Sequence, residues 1–545
     1  MSQNSIVILI FIGYLLTFIF SHYRVAYKKI GSKNFWRFRT FSDLIVVFSF
    51  IIGFVLLVQF KGEKKFDSPN DMVSFGVNNS FSDLIIKGCQ SVIKEDLCHL
   101  DCHYLMAKNV YYYGSNKQLN DYIASLYEMI TKPSDNSKDI AYLMLGYLDY
   151  YSNYDYNFNY LEFISNKKIK YYNYLLGLKS SNANEAIGYF KKEIKYEGFS
   201  EGSTVKLYDL FVQKSDQKSM LQLAENKSLS KFLSRSVKKE IFFKNASFSN
   251  YIIQIVGRTI DEFTLLSAIT AFLISFLWMN FLRRFDIYET EKWKYLLAVF
   301  GLGSIATFFV YPLGDVLEYV FHFSYTNTDV LNDFIYCSVV IGAVEELVKI
   351  VPFLLILRCF KFINEPYDYI LYGSVSALGF AFMENILYFN EYQFHVIFIR
   401  TVYSVVGHMF WTSIIAYGFI KINFNRKTTY SSLAVVFGSF TLACFGHGAY
   451  DFLLFYNLGA LNTVFFFLSL IAFVFMINNS LNISNFYNYE ISLRREKMAF
   501  QLIIGLVGVY MLQYFIIGVN YGSSYANTMA LNNMLYGLMI ITFLA

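Results

Sequence analysis

Residues 334–357 read FIYCSVVIGAVEELVKIVPFLLIL, from Phe334 to Leu357. A helix that crosses a bilayer needs roughly 20 mostly apolar residues. This stretch meets that requirement, yet Glu345, Glu346 and Lys349 sit at its middle. An ionisable side chain at bilayer depth costs about 2.5 to 3.5 kcal/mol on insertion scales, so three in one span mark either a functional site or an ion pair that ties a bundle together. The rest of the chain has the composition of a membrane protein. Of 545 residues, 55% are hydrophobic and 16% charged, against about 25% charged in ordinary soluble domains.

Working outward, apolar runs of spanning length fall at 5-21, 43-60, 263-282, 295-313, 334-357, 368-389, 394-420, 431-456, 460-478, 499-518 and 529-545. That predicts an all-α fold, a polytopic transmembrane helical bundle of about eleven spans. The first run has no basic residue before it and no small-residue cleavage site after it, so it reads as a span and not as a secretory signal. Orientation follows Lys and Arg in short loops. Basic residues cluster at Arg24, Lys28, Lys29, Lys33, Arg37 and Arg39, at Arg283, Arg284 and Lys292, at Arg358 and Lys361, at Lys421, Arg426 and Lys427, and at Arg494, Arg495 and Lys497. The alternating loops 314-333, 390-393, 457-459 and 519-528 contain none. The expected topology places the basic loops in the cytoplasm of a bacterial cell and the N-terminus outside.

Four segments follow: 1-60, two spans with a basic loop; 61-258, a polar extracytoplasmic domain; 259-480, the core that carries the intramembrane charges; and 481-545, two further spans. In the polar domain, Ala186, Tyr189, Phe190 and Ile194 fall on one helical stripe. Leu145-Gly146-Tyr147 precedes Leu176-Gly177 by about thirty residues, close to the period of a helical repeat. A tetratricopeptide-like array and a plain helical bundle both fit, and either serves to dock a peptide or protein ligand. Cys89, Cys98 and Cys102 cluster there without a CxxC pair, so thioredoxin-like and zinc-ribbon chemistry is not indicated. Cys98 and Cys102 share a helix face, and either could pair with Cys89 in an oxidising compartment. The net charge of +5 follows the loops, and nothing points to nucleic acid.

Intramembrane ionisables recur on the three spans after Phe334–Leu357: Glu384 beside Asn385, Arg400 with His408, and His447 with Asp451. Residues three or four apart share a helix face, whereas neighbours point about 100° apart. Glu345 and Glu346 therefore face different directions, and Lys349 reaches either one. Asp451, four residues after His447, is placed to orient its imidazole. His395 lies near an interface and reads as a snorkelling residue. A purely structural ion pair accounts for Glu345, Glu346 and Lys349 taken alone; six groups on four consecutive spans are harder to explain that way.

At these residues the chain resembles the PrsW-type intramembrane proteases, relatives of the CAAX prenyl endopeptidases and of bacteriocin-processing membrane proteases. The resemblance rests on Glu345-Glu346-x-x-Lys349, Gly379-Phe380-x-x-x-Glu384-Asn385, Arg400-x7-His408 and His447-x-x-x-Asp451, in that order. It covers roughly 263-478 and implies hydrolysis of a peptide bond in or beside a membrane segment of a membrane-protein substrate, as in site-1 cleavage of an anti-sigma factor. It implies Glu345, Glu346, Glu384, Asn385, His408 and His447 as catalytic, with Lys349, Arg400 and Asp451 in support. Two mechanisms use these residues. In one, a Glu of the 345/346 pair is the general base and His408 and Asn385 stabilise the oxyanion. In the other, Glu384, His408 and His447 hold Zn²⁺. A conventional zincin is excluded, since no His-Glu-x-x-His motif is present. The competing classes are a proton-coupled transporter or channel, which also uses buried charge relays, and a catalytically inactive membrane receptor.

Overall fold

The structure is a computed structural model that describes residues 64–132, 134–152, 159–359, 363–424, 432–487, 496–523 and 525–530. Every regular element among them is a helix. The chain divides into two compact units, one of them Lys64–Gln254 and the other containing everything from Ile255 onward.

The Lys64–Gln254 unit is a succession of short helices in which sequence neighbours pack on one another. Along Ala183–Lys195 the core face is carried by Ala186 and Phe190, and Gly177 leaves room for the Phe190 ring, which a Cβ there would meet. The same face buries Glu193, whose carboxylate accepts the backbone N–H groups of Tyr171 (2.6 Å), Asn173 (3.1 Å) and Phe199 (2.7 Å). Buried polar groups must be hydrogen-bonded, and here one carboxylate ties two connecting segments to the helix. All three cysteines of this unit are free thiols. Cys89 and Cys102 are buried side by side, and the hydrogen bond from the Cys89 thiol holds Cys102 down at about 7. Cys98 instead faces Ser137, 3.6 Å away.

In the second unit, six described helices are long and apolar enough to cross a membrane: Leu265–Phe285, Trp293–Tyr319, Pro366–Glu391, Ile397–Phe424, Ser432–Phe455 and Gly459–Asn482. Glu496–Tyr521 adds an apolar segment over Gly505–Tyr521. The expected span 334-357 is a composite, formed by Val330–Tyr336, a π-helical turn at Cys337–Ala343, and Val344–Cys359. The expected spans 5-21 and 43-60, and nearly all of 529-545, lie outside the described residues.

Pro366–Glu391 and Ile397–Phe424 form the centre, each largely buried by its neighbours. Within lipid, apolar surface gives helices little reason to associate, so small residues that let backbones approach become decisive. A Cβ at Gly379 would strike the Phe300 carbonyl, and one at Gly303 the Ser376 carbonyl. Gly342 and Gly448 bring the Glu-Glu segment against Ser432–Phe455 in the same way, facing the backbone of Cys444 and Ser338. These contacts seat Trp293–Tyr319 on Pro366–Glu391 and the Glu-Glu segment on Ser432–Phe455. Overpacking costs about 1–3 kcal/mol, so Gly379→Val and Gly303→Val should each lower the thermal unfolding midpoint of the detergent-solubilised protein. Gly301→Val, at a position with open space around it, should leave the midpoint unchanged.

Candidate active site

The site grows from Lys349. Its ammonium is fully buried and donates to Glu345 Oε2 (2.8 Å), Glu346 Oε1 (3.0 Å) and His408 Nδ1 (2.8 Å). Three charge-assisted contacts are what such a group needs in order to stay charged away from water. Glu345 and Glu346, adjacent in sequence, reach the same ammonium because Lys349 lies at i+4 from one and i+3 from the other. The π-helical turn at Cys337–Ala343 ends immediately before them. A second π turn, Arg400–Ser404, lies one helical turn before His408. Such turns shift the register of the helix that follows and occur frequently at functional sites.

An ammonium only donates, so His408 Nδ1 is the acceptor and Nε2 carries the proton. That N–H points at Glu384 Oε2, 2.8 Å away. Glu384 is held from behind by Arg400, whose Nη2 lies 2.8 Å from the same oxygen. Arg400 Nε donates to Asn385 Oδ1 at 2.6 Å, and its guanidinium lies 3.9 Å from the centroid of the Tyr388 ring. His447 enters from Ser432–Phe455. Its Nδ1 lies 3.0 Å from Glu346 Oε1, and its Nε2 lies 3.7 Å from Glu345 Oε2 and 3.5 Å from Asp451 Oδ2. Glu346 also accepts the Thr412 hydroxyl at 2.7 Å.

All nine sequence-predicted residues therefore come together, but not with equal standing. Glu346 is wholly buried and engaged by Lys349, Thr412 and His447, whereas Glu345 retains 14% side-chain exposure. Asn385 is wholly buried beneath Arg400, and Asp451 stands beside His447 without a hydrogen bond to it. The donor atoms that gather for a metal are those of Glu345, His408 and His447, all within 4.8 Å of one another. Glu384, expected in that set, lies on the other nitrogen of His408 and orients the ring. Two contacts of the site carry no charge that marks them in the sequence: the Thr412 hydroxyl, one turn beyond His408, and the Phe380 ring, whose centroid lies 4.4 Å from the Lys349 ammonium.

A two-imidazole, one-carboxylate set is a common zinc ligand set. His408 has its second nitrogen directed at a carboxylate, Glu384, as metal-bound imidazoles generally do, and His447 Nδ1 lies 3.0 Å from Glu346 Oε1 without a hydrogen bond to it. The residues thus fit a zinc ion. Lys349 lies 2.8 Å from two of the donor atoms, so a second cation among them requires the ammonium to shift.

Residues 291–478 match the family model described as PrsW family intramembrane metalloprotease. Protease PrsW of Clostridioides difficile (strain 630) is 30% identical over 198 residues, which covers 35% of this chain and 78% of that protein. This chain belongs to the PrsW family. Protease PrsW of Geobacillus kaustophilus (strain HTA426) is 29% identical over 171 residues, covering 31% of this chain and 71% of the relative. Protease PrsW of Bacillus subtilis (strain 168) is 28% identical over 173 residues, covering 31% and 73%. No solved structure matches the chain. The PrsW match begins well after Lys64–Gln254 and spans the four helices that meet at Lys349. The chain is a multi-pass membrane protein and a protease of the intramembrane class. A hydrogen bond to a charged group is worth about 1.5–3 kcal/mol, so Thr412→Val should destabilise the protein by that amount in denaturant titrations of the solubilised chain. Thr412→Ser should retain most of the wild-type stability.

Proposed function

We propose that this PrsW-family protein hydrolyses a peptide bond in or near a membrane segment of its substrate, with Glu345 as the carboxylate at the reacting centre. The observation that carries this reading is the difference between two adjacent acids. Glu346 is buried and fully engaged, whereas Glu345 is partly open and faces both imidazoles. As general base, Glu345 takes a proton from the attacking water, a role worth about 10²- to 10⁴-fold in rate. Lys349 lies nearest to it (2.8 Å), followed by His447 (3.7 Å) and His408 (4.0 Å), and the ammonium is the positive charge available to a developing oxyanion. Glu384, held by Arg400, keeps the His408 ring in one tautomer, and Asn385 positions Arg400.

The carboxylates beside both histidines favour a second reading of the same centre, with Glu345, His408 and His447 as zinc ligands. A bound zinc ion would supply Lewis acidity at the scissile carbonyl and lower the pKa of water. In that case Asp451, 17% exposed and beside His447, is the carboxylate free to accept a proton. The alternation of basic loops supports a cell-membrane protein with its N-terminus and the Lys64–Gln254 unit outside, where that unit docks a peptide or protein and selects the substrate. An anti-sigma factor cut at its first site is a substrate of the expected kind.

The test is cleavage of a panel of single-span substrates by the full-length protein in liposomes. Glu345→Gln, His408→Ala and His447→Ala should each lose at least about 100-fold in rate, with expression and folding intact. A chelator should abolish wild-type activity if Glu345 is a ligand and leave it unchanged if Glu345 is the base. Mutant rates equal to wild type would overturn the assignment, and mutants that instead alter proton flux would favour a transporter.

A further inference from the structure

Where Leu265–Phe285 terminates and Pro366–Glu391 begins, at the opposite end of the latter helix from Glu384, three acids meet. Asp286 C-caps the first helix, Glu365 N-caps the second and Asp368 lies in its first turn. Their side chains are buried, with 1%, 0% and 1% exposure. One oxygen from each lies within 4.8 Å of the others.

The two oxygens of each carboxylate are used differently. Asp286 Oδ2 accepts the Glu291 N–H at 2.6 Å. Asp368 Oδ2 accepts the N–H groups of Asn364 (2.9 Å) and Glu365 (3.0 Å). Glu365 Oε2 accepts the Ser484 hydroxyl. These contacts fix the three groups in place. The remaining oxygens, Asp286 Oδ1, Glu365 Oε1 and Asp368 Oδ1, are buried and accept no hydrogen bond. Among the described residues, no lysine or arginine pairs with any of the three carboxylates. A further acid, Glu291, is 9% exposed and accepts the Tyr372 hydroxyl at 2.8 Å. Burying even one unpaired carboxylate is strongly unfavourable. Three converging carboxylates, each anchored through one oxygen and open through the other, have the form of a cation site.

We propose that Asp286, Glu365 and Asp368 form a binding site for a hard divalent cation that joins these two helices. The donor set is all oxygen and all carboxylate, which selects Mg²⁺ or Ca²⁺ over zinc or copper. Calcium–oxygen bonds of about 2.3–2.6 Å place ligand oxygens on opposite sides of the ion up to about 5 Å apart. Separations within 4.8 Å are compatible with Ca²⁺. Mg²⁺, at about 2.0–2.1 Å and strictly octahedral, would keep waters. The ion would fix where Pro366–Glu391 starts, and this is the helix that delivers Glu384 and Asn385 to the other site. The inference does not depend on the protease reading.

The experiment is thermal unfolding of the full-length protein in detergent after removal of divalent ions, with Ca²⁺, Mg²⁺ and Zn²⁺ titrated separately. The same titrations are run on Asp286→Asn and Asp368→Asn. Wild type should gain about 3 °C or more at saturating Ca²⁺ or Mg²⁺, and both variants should lose that gain. In chelator the variants should be at least as stable as wild type, because each removes an uncompensated buried charge; that outcome separates a lost ligand from a failure to fold. Equilibrium dialysis should find one Ca²⁺ or Mg²⁺ per chain in wild type and in Glu345→Gln, and none in Asp286→Asn. No response of wild type to either ion, or an equal response in the variants, would overturn the proposal and leave shared protons as what holds the cluster together.

Discussion

The membrane unit depends on one buried ammonium. Lys349 is the cation among Glu345, Glu346, His408 and, more remotely, His447, with Glu384 behind the imidazole. Removing one partner of a buried charge network typically costs 3–5 kcal/mol, because the charge left behind has no compensation. The network is therefore a strong constraint on geometry even though it contributes little net stability. Four helices must approach closely enough to complete it, and the glycine contacts at Gly342 and Gly448 permit that approach between two of them.

The arrangement also explains why two adjacent acids occupy one span. On a regular helix they point about 100° apart, so they serve different partners. Glu346 turns into the bundle toward Thr412 and His447 and becomes part of the scaffold. Glu345 turns toward the gap between the two imidazoles and keeps some exposure. The two histidines are held differently: His408 gives one nitrogen to Glu384 and the other to Lys349, whereas His447 lies between Glu346 on one side and Glu345 and Asp451 on the other without a hydrogen bond from Nδ1.

Much of this was legible in the sequence. Charges at Glu345, Lys349, Glu384, His408 and His447 stand out against apolar spans, and helical spacing puts Lys349 within reach of either acid. The ranking within the site was not legible. Whether Glu384 or Glu345 joins the two histidines depends on which face of the His408 ring each approaches, and the two π-helical turns alter that register in a way a 3.6-residue count does not capture. Asp451, four residues from His447, satisfied the spacing rule yet lies 3.5 Å off without a hydrogen bond, because Glu345 and Glu346 approach the same ring from another helix. Glu193 in the Lys64–Gln254 unit was read past for a similar reason. Its burial is set by loop N–H groups of Tyr171, Asn173 and Phe199 that no local pattern announces. The Asp286, Glu365 and Asp368 cluster joins the end of one helix to the start of another about eighty positions later, a pairing that no local spacing shows.

The central claim is that Lys349 and the acids it touches act as one unit. The most direct measurement is a double-mutant cycle on unfolding free energy in mixed micelles, with Lys349→Met, Glu346→Gln and the pair. Coupled buried charges show interaction energies of about 0.5–3 kcal/mol. The account predicts that Lys349→Met alone is strongly destabilising and that adding Glu346→Gln recovers a large part of the loss. Strictly additive effects of the two substitutions would mean that the ammonium does not hold the acids together, and would contradict it.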